Sequence, residues 1–166
     1  MKNLLVTIVA AFMAVVGYAQ TTFNVRIGGG FFQREYHRYY SLNEIRTDVG
    51  AALTFESNIP LGAKTNRTVF SPSLFVVSDF RDGTNLDIPL HFGYKVSLGY
   101  GSLFIPKIGP MVGYHGCDDD YDGNGFAFGP STELAFEFNH FVIAANGYYD
   151  INHECVGAFC TVGYKF

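Results

Sequence analysis

Tryptophan is absent from this 166-residue chain, and charged residues make up only 16% of it, whereas aromatic residues make up 17%. A typical soluble domain carries about 25% charged residues. The low charged share, together with abundant Tyr, Phe and Gly, fits a chain that contacts lipid on one side. Because Trp is missing, any aromatic girdle at a membrane interface must consist of Tyr and Phe.

Other absences limit the function. Beyond the first 19 residues no apolar run approaches the ~18 residues of a membrane-spanning helix. Basic residues form no cluster and are outnumbered, 11 to 15, by acidic ones, which argues against nucleic-acid binding. Neither G-x-S-x-G nor H-E-x-x-H occurs, so we expect no catalysis and no cofactor. Ser41 with His37 is only a remote candidate pair for a lipase or acyltransferase.

The first 19 residues have the pattern of a secretory signal. Met1-Lys2-Asn3 gives a short positive start, residues 4–16 are apolar, and Gly17 and Ala19 are small residues at the positions that a signal peptidase reads. The first residue after the predicted cleavage at Ala19 is Gln20 and not Cys, so a lipid anchor is not indicated. We expect residues 20–166 to form a single domain.

Apolar and polar residues alternate along the rest of the chain, and period two predicts β-strands with one apolar face. In the clearest segment, Leu86, Ile88, Leu90 and Phe92 alternate with Asp87 and His91. Polar loops follow the first, third, fifth and seventh predicted strands, and short turns follow the fourth and sixth. Longer loops at one end and short turns at the other are typical of a transmembrane barrel. The predicted strands are 22–32, 46–56, 67–80, 86–96, 102–114, 126–138, 140–150 and 155–166.

Five prolines fall inside these segments, where each removes a ladder hydrogen bond. We expect bulges or strand ends there. They are Pro72, Pro89, Pro106, Pro110 and Pro130.

Periodicity alone leaves open whether the apolar face meets lipid or fills a soluble barrel. The polar face is rich in Gly, Ala and Ser and poor in Lys and Glu, unlike a solvated surface. Small residues suit the narrow interior of an eight-stranded barrel, and aromatic residues crowd the strand ends. We therefore predict an all-β, eight-stranded antiparallel up-and-down transmembrane β-barrel with a polar, largely plugged interior. The alternatives are a small pore or transport or secretion accessory, and a soluble periplasmic lipocalin-like binder.

The polar faces predict a network of charged side chains inside the barrel. Unpaired charges in a lumen are costly, so we expect ion pairs and hydrogen bonds that plug the barrel, with a gated pore as the alternative. The residues are Arg26, Arg46, Asp48, Glu56, Asp79, Asp87, His91, Lys95, Lys107, Glu133, Glu137 and Lys165.

An acidic loop is a candidate calcium site. Asp118, Asp120 and Asp122, followed by Gly123, match the opening of a D-x-D-x-D-G loop, whose alternating oxygen ligands suit Ca²⁺. The twelfth position is Gly129 instead of Glu, and no helices flank the loop. A solvated surface loop is the alternative.

A second loop is a candidate surface-contact site. Tyr36, Tyr39 and Tyr40 lie beside Arg34 and Arg38, and exposed aromatic and Arg side chains are prone to contact partners. The alternative is a rim loop that lies among lipopolysaccharide headgroups.

The three cysteines of an exported chain cannot all pair with one another. Cys117 and Cys155 fall in neighbouring predicted loops, where a disulfide is one outcome. Cys160 lies on the apolar face of the last strand and is expected to be a small buried hydrophobe. His115 and His153 lie near Cys117 and Cys155, so these residues would form a rim metal site if the loops converge.

The chain resembles small outer-membrane β-barrel proteins of Gram-negative bacteria, similar to the OmpA-type and OmpX-type barrels. It also resembles the Bacteroidetes outer membrane protein beta-barrel domain (PorT-like) family. The segments that carry the resemblance are Asn58-Ile59-Pro60-Leu61, Asp87-Ile88-Pro89-Leu90, residues 108–114 and Val162-Gly163-Tyr164-Lys165-Phe166.

The resemblance implies an integral protein of the cell outer membrane with a structural or surface-contact role. It implies contact with outer-membrane lipid and lipopolysaccharide. It also implies that Tyr164 and Phe166, with Val162 and Cys160 at alternate positions, are read by the barrel-assembly machinery. A closed barrel needs no partner to cover its edges, so we expect a monomer.

Overall fold

The computed structural model describes residues 21–36, 44–61, 67–78, 83–117 and 125–166, which form one closed β-barrel. The predicted signal segment lies outside the described residues. Strand β5 continues β4 beyond Lys95, and both pair with β6, so the barrel has eight strand positions. The strands are β1 Thr22–Tyr36, β2 Glu44–Pro60, β3 Thr68–Ser78, β4 Gly83–Tyr94, β5 Val96–Gly99, β6 Ser102–Cys117, β7 Gly125–Phe138, β8 Phe141–Asp150 and β9 Cys155–Lys165.

None of the described residues belongs to a helix that is long and apolar enough to cross a membrane.

The first and last strands close the barrel. β1 pairs antiparallel with β9 in an unbroken register from Asn24–Lys165 to Gln33–Val156, and the other neighbours in the barrel also pair antiparallel. Closure satisfies the backbone groups that an open sheet would leave unpaired at its edges. The predicted eight-stranded antiparallel barrel is therefore confirmed.

The apolar face of the strands points outward. On β7, Ala127, Ser131 and Glu133 are buried, while Phe126 and Phe136 are exposed on the outer surface. The same alternation holds along β8 and β9. A lipocalin-like barrel would have the apolar face inside, so that alternative was wrong.

The turns define the two ends of the barrel. β5 and β6 are joined through Gly99, Tyr100 and Gly101, all with positive φ, and β7 and β8 through Asn139, with φ of 54°. We call this the turn end, and the opposite end, with the β8–β9 connection 151–154, the loop end. Short turns after predicted strands four and six are confirmed. The predicted 57–66 connection was too long, because β2 extends to Pro60, which pairs with Val69.

Aromatic side chains on the outer surface collect near both ends. Toward the loop end they are Phe31, Tyr114, Phe126 and Tyr149. Toward the turn end they are Tyr94, Tyr100, Phe138, Phe141, Tyr164 and Phe166. Two aromatic bands with an apolar surface between them are typical of the outer surface of a transmembrane barrel.

Pro72 and Pro89 flank gaps in the strand pairing without ending their strands, whereas the β6–β7 register is unbroken. Between β3 and β4, pairing stops at Pro72–Leu90 and resumes at Phe75–Asp87. Between β4 and β6, it stops at Pro89–Met111 and resumes at Phe92–Ile108. Pro110 faces Pro130 across β6 and β7. We call Pro72, Pro89, Pro110 and Pro130 the proline seam, since they lie on four adjacent strands.

The barrel interior is filled in layers. An apolar layer with Phe32, Phe75, Met111 and Phe159 lies toward the loop end, and rings of Phe75 and Phe159 meet edge to face at 5.4 Å. A smaller cluster with Val69, Ile105 and Val142 lies toward the turn end. Charged side chains occupy the level between them. The plugged interior was predicted, but the sequence reading missed that much of the plug is apolar.

Candidate functional site

Four charged side chains meet at the centre of the lumen. Arg26 Nη2 lies 3.0 Å from Glu56 Oε2 and 2.7 Å from Glu133 Oε2. Lys107 Nζ lies 2.6 Å from Glu56 Oε1 and 2.7 Å from Glu133 Oε1. Each cation therefore contacts both carboxylates. We call Arg26, Glu56, Lys107 and Glu133 the ion-pair ring.

The ion-pair ring crosses the whole lumen. Arg26 and Glu56 come from the neighbouring strands β1 and β2, and Lys107 and Glu133 from β6 and β7 on the opposite wall. Asn24 Nδ2 and Asn58 Nδ2 also donate to Glu56 Oε1, at 3.0 and 2.9 Å. With no more than 1% of any ring side chain exposed, the ring leaves no open path at this level.

Inward-facing glycines make room for the long cationic side chains. A Cβ added to Gly93 on β4 would come within 2.7 Å of Lys107 Cγ. A Cβ added to Gly163 on β9 would come equally close, 2.7 Å, to Arg26 Cγ. These two glycines therefore leave room for the ring in a narrow barrel.

On the loop-end side of the ring is a cavity of about 10 Å³, which is room for about one water molecule. Its lining includes Thr54, His91, Met111 and Ser131. His91 Nε2 lies 2.8 Å from Ser131 Oγ, which in turn donates to the Gly109 carbonyl at 3.2 Å. A cavity of this size holds neither a channel nor a drug-sized ligand.

A second polar cluster lies at the loop end, where β6, β8 and the β8–β9 connection meet. His115 Nδ1 lies 3.1 Å from Asp150 Oδ2, and His153 Nδ1 lies 2.5 Å from the same oxygen. His115 Nε2 lies 3.0 Å from Asp87 Oδ1. We call His115, Asp150 and His153 the rim trio. It brings together the two histidines that sequence analysis placed at the rim.

Backbone N–H groups orient Asp150 in the rim trio, and a glycine makes room for Asp87, which contacts the trio through His115. Asp150 Oδ1 accepts the backbone N–H of Phe128 at 3.2 Å and that of Asn152 at 3.0 Å, which turns Oδ2 toward the imidazoles. Gly113 leaves space for Asp87, because an added Cβ would lie 2.1 Å from Asp87 Oδ1.

Other predicted interior residues lie apart from both clusters. Glu137 pairs with Lys165 toward the turn end, at 2.6 Å between Oε2 and Nζ. Lys95 and Asp48 are half-buried. The side chain of Arg46, and all of Asp79, lie outside the described residues.

The predicted loop sites also lie outside the described residues. These are the calcium candidates Asp118, Asp120 and Asp122, the contact residues Tyr39 and Tyr40 with the side chain of Tyr36, the side chain of Cys117, and the Ser41–His37 pair. The calcium site, the contact surface and the Cys117–Cys155 disulfide therefore stay predictions.

The last strand places its predicted residues on the outer surface. Tyr164 and Phe166 lie side by side there, with ring centroids 5.1 Å apart. Cys155 is buried in the apolar layer at the loop end. The expectation that Cys160 is buried was wrong: its side chain lies on the outer face, because that face is the outside of the barrel and not its core.

Comparisons with known proteins support the fold and leave the family open. No protein-family model matches the chain, and no curated protein sequence matches it. Among solved structures, the Neisserial surface protein A (NspA) is similar, with a TM-score of 0.60, 9% identity, and coverage of 87% of this chain and 95% of that one.

Two further solved structures are similar. Ail, the attachment invasion locus protein of Yersinia pestis, has a TM-score of 0.53 and 13% identity, covering 87% of this chain and 98% of that one. The N-terminal β-barrel domain of Pseudomonas aeruginosa OprF has a TM-score of 0.50 and 15% identity, covering 86% and 97%. At these identities the likeness is one of fold, that of small outer-membrane β-barrels. The resemblance to the Bacteroidetes PorT-like family stays a prediction.

Proposed function

We propose that this chain is an integral protein of the outer membrane of a Gram-negative cell, with a structural or surface-contact role and without catalysis. The observation that carries the proposal is the division of the barrel wall. Its outer face is an apolar surface bounded by two aromatic bands, and its inner face carries paired, buried charges between two apolar clusters.

This division suits lipid and not water. Ile27, Val49, Ile108 and Val162 are all more than half exposed on the outer face. A contiguous apolar surface of this kind is unfavourable in water and favourable in a bilayer. Away from the gaps beside Pro72 and Pro89, the closed strand ladder also satisfies the backbone, as the hydrocarbon region requires because it lacks water.

The filled lumen supports a closed barrel rather than a pore. The ion-pair ring bridges opposite walls, and the apolar layer fills the loop-end half. Neither leaves a continuous path for water or ions. The function is therefore expected on the two surfaces that the barrel exposes, its lipid face and its loop end.

Surface contact at the loop end is the role that we favour. The names of two proteins of this fold refer to attachment and invasion, for Ail, and to the bacterial surface, for NspA. Here the contact residues would be Tyr36, Tyr39 and Tyr40, facing lipopolysaccharide or a host molecule. Tyr164 and Phe166 would be the residues that the assembly machinery reads during insertion.

The test is membrane fractionation of Gram-negative cells that express the chain, with gel mobility compared before and after boiling. We expect an alkali-resistant outer-membrane band that shifts on heating, as a folded barrel does. A soluble band without a heat shift would contradict the proposal. A matched control is Gly163→Val, whose side chain would collide with the Val25 carbonyl, since even a Cβ would lie 1.9 Å from it. That variant should lose the folded band.

A further inference from the structure

The rim trio has the composition and convergence of a metal site. His115, Asp150 and His153 each offer one ligand atom, and these atoms all lie within 4.8 Å of one another. Two imidazole nitrogens and one carboxylate oxygen are ligands that Zn²⁺ accepts, with bonds of about 2.0–2.1 Å. A tetrahedral ion with such bonds places its ligand atoms about 3.3 Å apart.

Both separations from Asp150 Oδ2 lie within about 1 Å of that value. Asp150 Oδ2 lies 3.1 Å from His115 Nδ1 and 2.5 Å from His153 Nδ1. Admitting an ion requires the second contact to open by less than about 1 Å at tetrahedral geometry. His153 lies in the β8–β9 connection with 19% of its side chain exposed, so it is the ligand best able to move.

The surroundings also have the form of a metal site. His115 contacts Asp87 through Nε2, which leaves Nδ1 directed at Asp150. A carboxylate that holds the far nitrogen of a ligating histidine is a common feature of zinc sites. Asp150 is oriented in the same way, because Oδ1 is held by two backbone N–H groups.

The buried carboxylates at the rim trio also favour a bound cation. Asp87 is fully buried, and its Oδ2 has no hydrogen-bond partner among the residues that the structure describes. Two buried carboxylates thus face two imidazoles, and a buried carboxylate oxygen without a partner is costly. Metal ligation requires both imidazoles to be neutral, and the two carboxylates would then leave two negative charges that one divalent cation would offset.

From this geometry we propose that His115, Asp150 and His153 bind one divalent transition-metal ion of the zinc class at the loop end, with Asp87 as a positioning residue for His115. The ion would join β6 to β8 and to the β8–β9 connection. This site goes beyond the proposed membrane role and requires only the folded barrel.

The experiment uses the untagged chain from residue 20, refolded in detergent, stripped of metal and checked for its heat-dependent gel shift. Zn²⁺ is titrated by calorimetry, and Co²⁺ is titrated by its visible absorption. We expect saturation at one ion per chain and the intense bands of tetrahedral Co²⁺. No saturable binding, or only the weak bands of octahedral Co²⁺, would overturn the proposal.

Variants locate the site. His153→Ala and Asp150→Asn should each weaken Zn²⁺ binding at least about tenfold, and Asp87→Asn should weaken it by about 10- to 100-fold through His115. The matched control is His140→Ala, which removes a histidine from the turn end. Unchanged binding in His153→Ala, or equal loss in His140→Ala, would overturn the assignment. Because His153 is partly exposed, its variant decides the question if the buried variants fail to fold.

Discussion

At the scale of single residues, we expect the ion-pair ring to be the part of the lumen where substitutions lower stability most. Each of its carboxylates is shared by two cations, so removing one carboxylate leaves both Arg26 and Lys107 with a single partner. A buried charge that loses its partner has no access to water. The ring is therefore expected to respond to substitution far more than an ion pair at the barrel mouth does.

Glu133→Gln should lower the free energy of unfolding by about 3–5 kcal/mol, the usual cost of breaking a buried pair. The control is Glu137→Gln, whose partner Lys165 keeps 18% of its side chain exposed. Glu137 is itself buried, but Lys165 can still reach water when it loses this carboxylate, so that variant should lose clearly less than Glu133→Gln does. Urea unfolding followed by circular dichroism in micelles measures both. Equal losses would contradict a buried, shared ring.

Gly157 and Gly147 give a second residue-scale comparison. A Cβ on Gly157 would lie 2.4 Å from the ring of Tyr148, whereas on Gly147 the nearest atom would be Thr132 Cγ2 at 3.6 Å. Gly157→Ala should displace the buried tyrosine and cost about 1–3 kcal/mol. Gly147→Ala should stay within about 0.5 kcal/mol. The same urea titration measures the difference, and a reversed order would contradict the packing described.

Whether a side chain points into or out of the barrel was predictable for strands whose apolar residues all lie on one face. The alternation assigned no face to Phe32, Phe75, Met111 and Phe159, which are apolar and point inward. Hydrophobicity cannot distinguish an apolar residue in lipid from one in a packed lumen, because both environments exclude water. The apolar layer was therefore invisible in the sequence.

At the scale of elements, the proline seam divides the wall into a weaker and a stronger part. The β3–β4 and β4–β6 ladders have gaps next to Pro72 and Pro89, whereas the β1–β9 ladder is unbroken. The weaker part lies on one side of the barrel. The junction that closes the barrel lies on the other.

Amide hydrogen exchange in bilayers should show this difference. A missing ladder bond is worth about 1 kcal/mol, so amides beside the gaps should exchange about fivefold faster than β1–β9 amides at similar depth. Ser73 reports on the β3–β4 gap and Leu90 on the β4–β6 gap, and Val25 and Ile27 report on β1. Uniform protection across these four amides would contradict a weakened seam.

Contacts between residues of different strands were the second feature that the sequence could not predict. His115 and His153 were recognised as a pair only on the condition that their loops converge. Their contact depends on the register across β7, where His115 faces Gly125, and on the turn after Asp150. The alternation of apolar and polar residues determines the face of the strand on which a residue lies. It does not determine the register, because shifting one strand by two residues keeps each residue on its face but gives it a different cross-strand neighbour.

At the scale of the whole molecule, the filled lumen predicts that the barrel does not conduct. The chain reconstituted in a planar bilayer should give no discrete current steps, because the ring crosses the lumen and the cavity beside it holds about one water. Any porin of known conductance is the positive control. Stable, reproducible steps would contradict a closed interior and favour the pore.

The most direct test of the central claim uses the natural absence of tryptophan. Phe136→Trp places a single tryptophan on the outer face, and Phe75→Trp places one in the lumen. In vesicles with brominated acyl chains, the account predicts strong quenching of fluorescence at position 136 and little at position 75. Quenching at position 75 with none at position 136 would mean that the apolar face does not meet lipid.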